Sequence, residues 1–181
     1  IADAYNEVTV LFADLVGFTE LTQRLVARRV VVTLNDIFSS FDVIAARNDI
    51  EKIKTIGDGY MAVAGVSEWT EGHAESCARM ALEMHEAIAL YNRENNLELG
   101  LRVGLNSGPV IAGVIGTSRF LYDMWGDTVN TASRMEAYGV SGKTQVTEKT
   151  FDLLRTRFDL EPREPIEIKG KGEMETYFLL E

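Results

Sequence analysis

Apolar periodicity along the 181 residues switches several times between the two-residue step of strands and the 3.6-residue step of helices. The order of those switches limits the fold. Residues 8–13 (VTVLFA) form a short, β-prone apolar run that reads as a buried strand. Residues 18–48 read as two helices, with Phe38, Phe41, Val43 and Ile44 offering apolar faces near helical spacing. Residues 52–56 and 60–64 read as two strands around the tight turn Gly57-Asp58-Gly59, whose glycines supply the positive φ that such turns need. Residues 73–92 form the clearest helix, with Cys77, Met80, Ala81, Met84, Ile88 and Tyr91 recurring at steps of three and four. A second strand pair is expected at 101–105 and 110–115 around Asn106-Ser107-Gly108, then a helix at 128–138 stopped by Gly139. A short strand at Gln145 and Val146, a helix over 148–156 capped by Thr147, and strands at 166–168 and 176–180 complete the chain. Strand, helices, strand pair, helix, strand is the βαββαβ order. It predicts an α+β, ferredoxin-like sandwich with a mostly antiparallel sheet covered by helices.

The length suits one domain, so residues 1–181 read as a single unit. It opens on Ile1 and reaches its first strand within a few residues, which reads as a piece excised from a longer protein. No stretch approaches the ~20 apolar residues that span a bilayer, and no basic-then-apolar leader is present. The formal net charge of −10 argues against a nucleic-acid partner and against docking on an anionic membrane. An acidic chain that handles a polyphosphate needs cations to offset repulsion. The single cysteine, Cys77, excludes an internal disulfide and fits a reducing, cytoplasmic setting.

Two glycine motifs mislead. Gly139-Val-Ser-Gly142-Lys143-Thr144 ends like a phosphate-binding loop, but the position needing the first glycine is Ala137, inside an expected helix. Gly57-Asp-Gly59-Tyr-Met-Ala62 matches a loose dinucleotide fingerprint, but a strand is expected after it where that motif needs a helix. His73 and His85 have no partner at metal-ligand spacing.

Three segments carry chemistry together. In Leu11-Phe-Ala-Asp14-Leu-Val-Gly17-Phe-Thr19, a carboxylate ends a buried strand and a glycine leads into a helix. In Lys54-Thr-Ile-Gly57-Asp58-Gly59, a carboxylate sits at a hairpin tip. If the two strands are neighbours, Asp14 and Asp58 converge as hard oxygen ligands suited to Mg²⁺ or Mn²⁺. Taken singly, each is equally a helix cap or a turn residue. Backbone N–H groups of Gly17, Phe18 and Thr19 can hold phosphate oxygens at that helix start. In Tyr122-Asp123-Met-Trp-Gly126-Asp127-Thr-Val-Asn130-Thr-Ala-Ser-Arg134, Asn130 and Arg134 are four apart and share a helix face. A planar guanidinium suits the charge of a phosphoryl group in transit.

These segments, with Ile168-Lys169-Gly-Lys-Gly172, closely resemble the class III nucleotidyl cyclase catalytic domain, from about Glu7 to Leu180. The resemblance implies a fold related to the polymerase palm and a head-to-tail dimer with active sites at the interface. It implies that Asp14, Asp58 and the carbonyl of Leu15 hold two divalent metals, that Asn130 positions the ribose, and that Arg134 stabilises the transition state. Lys169 would reach the terminal phosphates from the partner chain. The expected reaction is attack of the ATP 3′-hydroxyl on its own α-phosphorus, giving cyclic AMP and pyrophosphate.

Lys54 and Asp123 resemble the family's base-reading pair. Adenine offers an acceptor at N1 and a donor at its 6-amino group, which suit a cation and a carboxylate; guanine offers the reverse. Guanylyl members typically carry Glu in place of that Lys and Cys or another residue in place of that Asp, so the expected substrate is ATP. The alternatives are a guanylyl cyclase of the same fold and a catalytically silent nucleotide-binding regulatory domain. Both half-sites occur in one chain, so a homodimer is expected, with an upstream membrane anchor or sensor as a further expectation.

Overall fold

The computed structural model describes residues 2–67 and 71–180. In chain order the elements are β1 (Ala2–Val16), α1 (Phe18–Arg24), α2 (Ala27–Arg47), β2 (Glu51–Ile56), β3 (Gly59–Ala64), α3 (His73–Asn95), β4 (Gly100–Ile115), β5 (Leu121–Trp125), α4 (Asp127–Ala137), β6 (Thr144–Thr147), α5 (Glu148–Leu154), β7 (Leu160–Ile168) and β8 (Gly172–Leu179). They form one eight-stranded sheet of order β2-β3-β1-β4-β6-β8-β7, with β5 paired to β4. The first four strands in space, β2-β3-β1-β4, carry the expected βαββαβ topology. Every described pairing is antiparallel except β4 with β6.

Strict alternation divides the core. On β1, Leu11, Ala13 and Leu15 point to the larger cluster under α2 and α3, while Val8 and Val10 join the smaller cluster beneath α4. On β3, Tyr60, Ala62 and Ala64 take the first face and Met61 and Val63 the second. A period of two, kept in register across neighbouring strands, gives each face one function. Asp14, one step from Ala13, falls on the α4 face. Among the described residues no helix is long and apolar enough to cross a membrane.

The fold class, the long helix α3 and the Thr147 cap are as expected; the Thr147 hydroxyl accepts from Thr150 N. The second strand pair is not. Asn106-Ser107-Gly108 is no turn: β4 runs unbroken through it, opposite Val10, Thr9 and Val8 of β1. Its polar groups have buried partners. Asn106 Nδ2 donates to the Thr128 carbonyl at 3.1 Å, the Thr147 hydroxyl donates to Asn106 Oδ1 at 2.7 Å, and Ser107 Oγ lies 2.7 Å from Thr9 Oγ1. Turn-type residues stay in a strand when neighbouring elements satisfy them. The hairpin instead closes between Ile115 and Leu121 and delivers β5, a strand absent from the sequence reading. β1 and β7 also run several residues beyond their expected spans.

α4 lies against β4 at Gly104. A Cβ there would overlap the backbone of Met135 and Glu136. Gly104→Ala is therefore expected to destabilise the domain by about 1–3 kcal/mol and to displace α4, read as a lower urea midpoint at unchanged slope.

Candidate active site

Asp14 stands near the end of β1, with Gly59 of β3 on one side and Arg102 of β4 on the other. The β2–β3 turn consists of Gly57 and Asp58 between the paired Ile56 and Gly59. Gly57 has φ +58°, the left-handed conformation that a tight two-residue hairpin requires at its first position. The Asp58 carbonyl accepts from Leu15 N at 3.3 Å, which ties the turn to the end of β1. The two carboxyl groups lie close enough together for Asp58 to help hold the Asp14 proton. Burial pushes the Asp14 carboxyl up to about 7; the hydrogen bond to Asp58 and the charges of Asp58 and Glu136 add to this, and Arg102 opposes it. Gly59 fits closely beneath the turn, since a Cβ there would lie 3.0 Å from the Ile56 carbonyl oxygen. No group of three or more His, Cys, Asp or Glu side chains forms a metal cage among the described residues. A cation here would take its other ligands from the main chain, water and substrate.

Gly17, with φ +86°, starts α1 directly after β1, and no side chain caps that helix. Phe18 is buried and Thr19 exposed. This puts the first-turn N–H groups immediately after the strand that carries Asp14.

Lys54 and Asp123 form a second group. Lys54 Nζ donates to Asp123 Oδ2 at 2.7 Å, and Asp123 Oδ1 accepts from Met124 N at 2.8 Å. A bulge in β2 makes this possible. Lys52 pairs with Ala62 and Lys54 with Met61, leaving Ile53 as the extra residue. In a regular strand, residues two apart share a face. Here Lys52 turns to Asp42 at 3.0 Å on the α2 side, while Lys54 turns to β5.

Asn130 and Arg134 form a third group, on the outer face of α4, whose inner face buries Val129, Ala132 and Met135. Gly170, in the β7–β8 turn, lies against the Arg134 guanidinium: a Cβ there would be 3.5 Å from Nη2. Lys169 is exposed on the same turn, its N–H donating to Tyr138 Oη at 3.3 Å. Arg134 has no carboxylate within ion-pair distance among the described residues. No described hydrogen bond or ion pair joins Asn130 or Arg134 to Asp14 or Asp58.

Two charged residues at the site were not read from the sequence. Arg102 reaches Asp14 Oδ2 at 3.4 Å and Glu136 Oε2 at 3.0 Å. Burial raises the Glu136 carboxyl above its ordinary range, and Arg102 opposes that rise. The available signal was an arginine inside the buried run Leu101–Leu105, where an unpaired charge is costly.

A sequence model described as the adenylate and guanylate cyclase catalytic domain matches residues 1–181. The chain is 43% identical over 180 residues to an adenylate cyclase of Mycobacterium tuberculosis, covering 99% of this chain and 41% of that protein. It is 44% identical over 184 residues to human atrial natriuretic peptide receptor 2, covering 99% of this chain and 18% of the receptor. The chain thus spans less than half of these curated relatives. Among solved structures, the guanylate cyclase domain of RhGC from Catenaria anguillulae in complex with GTP matches with TM-score 0.94 at 37% identity, covering 98% of both chains. The adenylyl cyclase CyaB from P. aeruginosa shares the fold with TM-score 0.94 at 24% identity, covering 100% of this chain and 96% of that one.

The folded chain keeps Asp14 protonated up to about pH 7, whereas the unfolded chain ionises it near 3.8. Between those values the folded state holds the extra proton, so metal-free stability falls as pH rises. Asp14→Asn removes that loss. Thermal melts in chelator should show the variant and the native chain close at pH 4 and the variant higher at pH 8. After screening, the gap should be about 1 kcal/mol, or roughly 2–4 °C for a domain of this size.

Proposed function

The chain belongs to the adenylate and guanylate cyclase catalytic domain family, and from that membership we propose that it is an adenylyl cyclase that converts ATP to 3′,5′-cyclic AMP and pyrophosphate. The observation that carries the choice of base is the Lys54–Asp123 pair, 2.7 Å apart. Lys54 would donate to adenine N1 and Asp123 would accept from the 6-amino group. Guanine would set N1–H against the ammonium and O6 against the carboxylate, costing about 1–3 kcal/mol for each polar group left unpaired.

Asp14 and Asp58 fit hard divalent cations. Their carboxyl groups stand close together at the end of β1, and a cation would take the place of the proton that Asp14 holds there. With the Leu15 carbonyl they would hold Mg²⁺ or Mn²⁺, which supplies charge neutralisation and polarisation of the reacting oxygens. The N–H groups of Gly17, Phe18 and Thr19 would receive phosphate oxygens. Asn130 would orient the ribose, Arg134 would meet the charge that builds during transfer, and Lys169 would hold the terminal phosphates. Positioning and electrostatics would carry this reaction, with no covalent enzyme intermediate.

A second copy would complete the site. Cross-strand pairing sets Ile111 opposite Trp125 and Ile115 opposite Leu121, so one face of the β4–β5 hairpin carries four exposed apolar side chains. Such a face suits burial against a like chain. In the homodimer, Asp14 and Asp58 of one protomer would face Lys54, Asp123, Asn130 and Arg134 of the other. The domain would serve as the single catalytic unit of a longer protein, on the cytoplasmic side, with an anchor or sensor upstream.

Turnover with ATP and GTP side by side tests the reading. Cyclic AMP is expected as the main product and should be lost in Asp14→Ala. In Lys54→Glu/Asp123→Cys the ATP preference, read as the ratio of kcat/KM values, should fall at least about tenfold, the equivalent of 1.4 kcal/mol. Cyclic GMP as the main product of the native chain would overturn the choice of base.

Mixing two inactive variants tests the dimer. Asp14→Ala and Arg134→Ala chains combined in equal amounts form heterodimers with one intact site each, so activity should recover to about a quarter of native. No recovery from mixed, folded chains would overturn the shared-site arrangement.

A further inference from the structure

Arg102 splits its guanidinium between two carboxylates. Nε donates to Glu136 Oε2 at 3.0 Å, and Nη2 stands 3.4 Å from Asp14 Oδ2. The bond to Glu136 is of ordinary strength, whereas the one to Asp14 is long and weak. Glu136 is the more deeply placed partner, with a side chain 15% exposed against 27% for Asp14. It also belongs to α4, the helix of Asn130 and Arg134, whereas Arg102 belongs to β4.

A guanidinium left alone beside two aspartates closes on them with parallel, bidentate hydrogen bonds. Such a clamp would occupy the same carboxylate oxygens that a cation needs. Glu136 takes the Nε side of the fork and so leaves only one arm directed at Asp14. It also keeps Arg102 paired when Asp14 changes partner, which matters because stranding a half-buried charge is costly.

We infer that Glu136 is a positioning residue for the Asp14–Asp58 pair: it restrains Arg102 so that a divalent cation can take Asp14 without displacing an arginine clamp. The inference rests on Asp14 and Asp58 being metal carboxylates. Glu136 touches neither cation nor nucleotide in this role; its charge also reaches Asp14 directly, and a variant that keeps the charge isolates the part carried by Arg102.

Mn²⁺ binding to the nucleotide-free full chain, followed by electron paramagnetic resonance of the free ion, reads this directly. Glu136→Asp keeps the charge but shortens the reach to Arg102, and it should weaken Mn²⁺ binding roughly three- to tenfold, within the range of coupling between contacting charged groups. Glu136→Gln should weaken it at least as much. Arg102→Gln should tighten binding, and in that background Glu136→Asp should have almost no effect. Equal losses from Glu136→Asp with and without Arg102 would overturn the inference, as would unchanged affinity in a folded Glu136→Asp chain. The metal reading fails separately: Mn²⁺ affinity that is indifferent to both Asp14→Ala and Asp58→Ala would sink it whatever the Glu136 variants do. Thermal melts of each variant establish that it is folded.

Discussion

Two carboxyl groups in hydrogen-bonding reach of one another repel when both ionise, and the rest of this structure is arranged around holding Asp14 and Asp58 there. The backbone does most of the holding. β1 pairs with β3 up to Asp14 opposite Gly59, and the Asp58 carbonyl accepts from Leu15 N. The turn between them is too short to relax. Its first residue is a glycine in the left-handed conformation, and the second is Asp58 itself. Burial, with the proximity of Asp58 adding to it, therefore appears as a chemical property, an Asp14 carboxyl pushed up to about 7, and not as a displacement.

Sheet phase decides what surrounds that pair. From Val8 onward, even-numbered residues of β1 face α4 and the odd-numbered Leu11, Ala13 and Leu15 face α2 and α3. Asp14 thus looks toward the helix that carries Asn130 and Arg134, and toward Arg102 across the ladder. Glu136 and Arg102 then link α4 to the Asp14–Asp58 pair. The exposed face of α4 and the Lys54–Asp123 pair remain directed outward, along with the apolar face of the β4–β5 hairpin. One protomer thus presents two separate groups of polar side chains, which is the arrangement a head-to-tail pair of identical chains can use.

How much of the site was legible varied with the range of the contact. Asp14 ends an apolar run and Asp58 sits in a glycine turn, so both stand out from a few neighbouring residues. Asn130 and Arg134 follow from helical spacing. Lys54 and Asp123 lie 69 residues apart and were paired only through family resemblance. The bulge at Ile53 that separates Lys52 from Lys54 was invisible, because a period of two puts both on one side. Asn106-Ser107-Gly108 misled in the opposite sense, since its composition favours a turn while Thr128, Thr147 and Thr9 satisfy it within a strand. Arg102 and Glu136 went unread for the same cause: each makes sense only beside a residue from another element.

From the residues alone came the βαββαβ order, the two aspartates at the ends of their strands and the shared face of Asn130 and Arg134. Each of these depends on hydrogen bonding and burial within about ten residues of chain. Tertiary structure alone decided that β4 is continuous, that β5 exists, that one lysine of β2 faces the helices and the other faces Asp123, and that Arg102 stands between Asp14 and Glu136. Those outcomes depend on which distant groups arrive to satisfy a buried polar atom or a charge. That competition is settled only when the sheet closes.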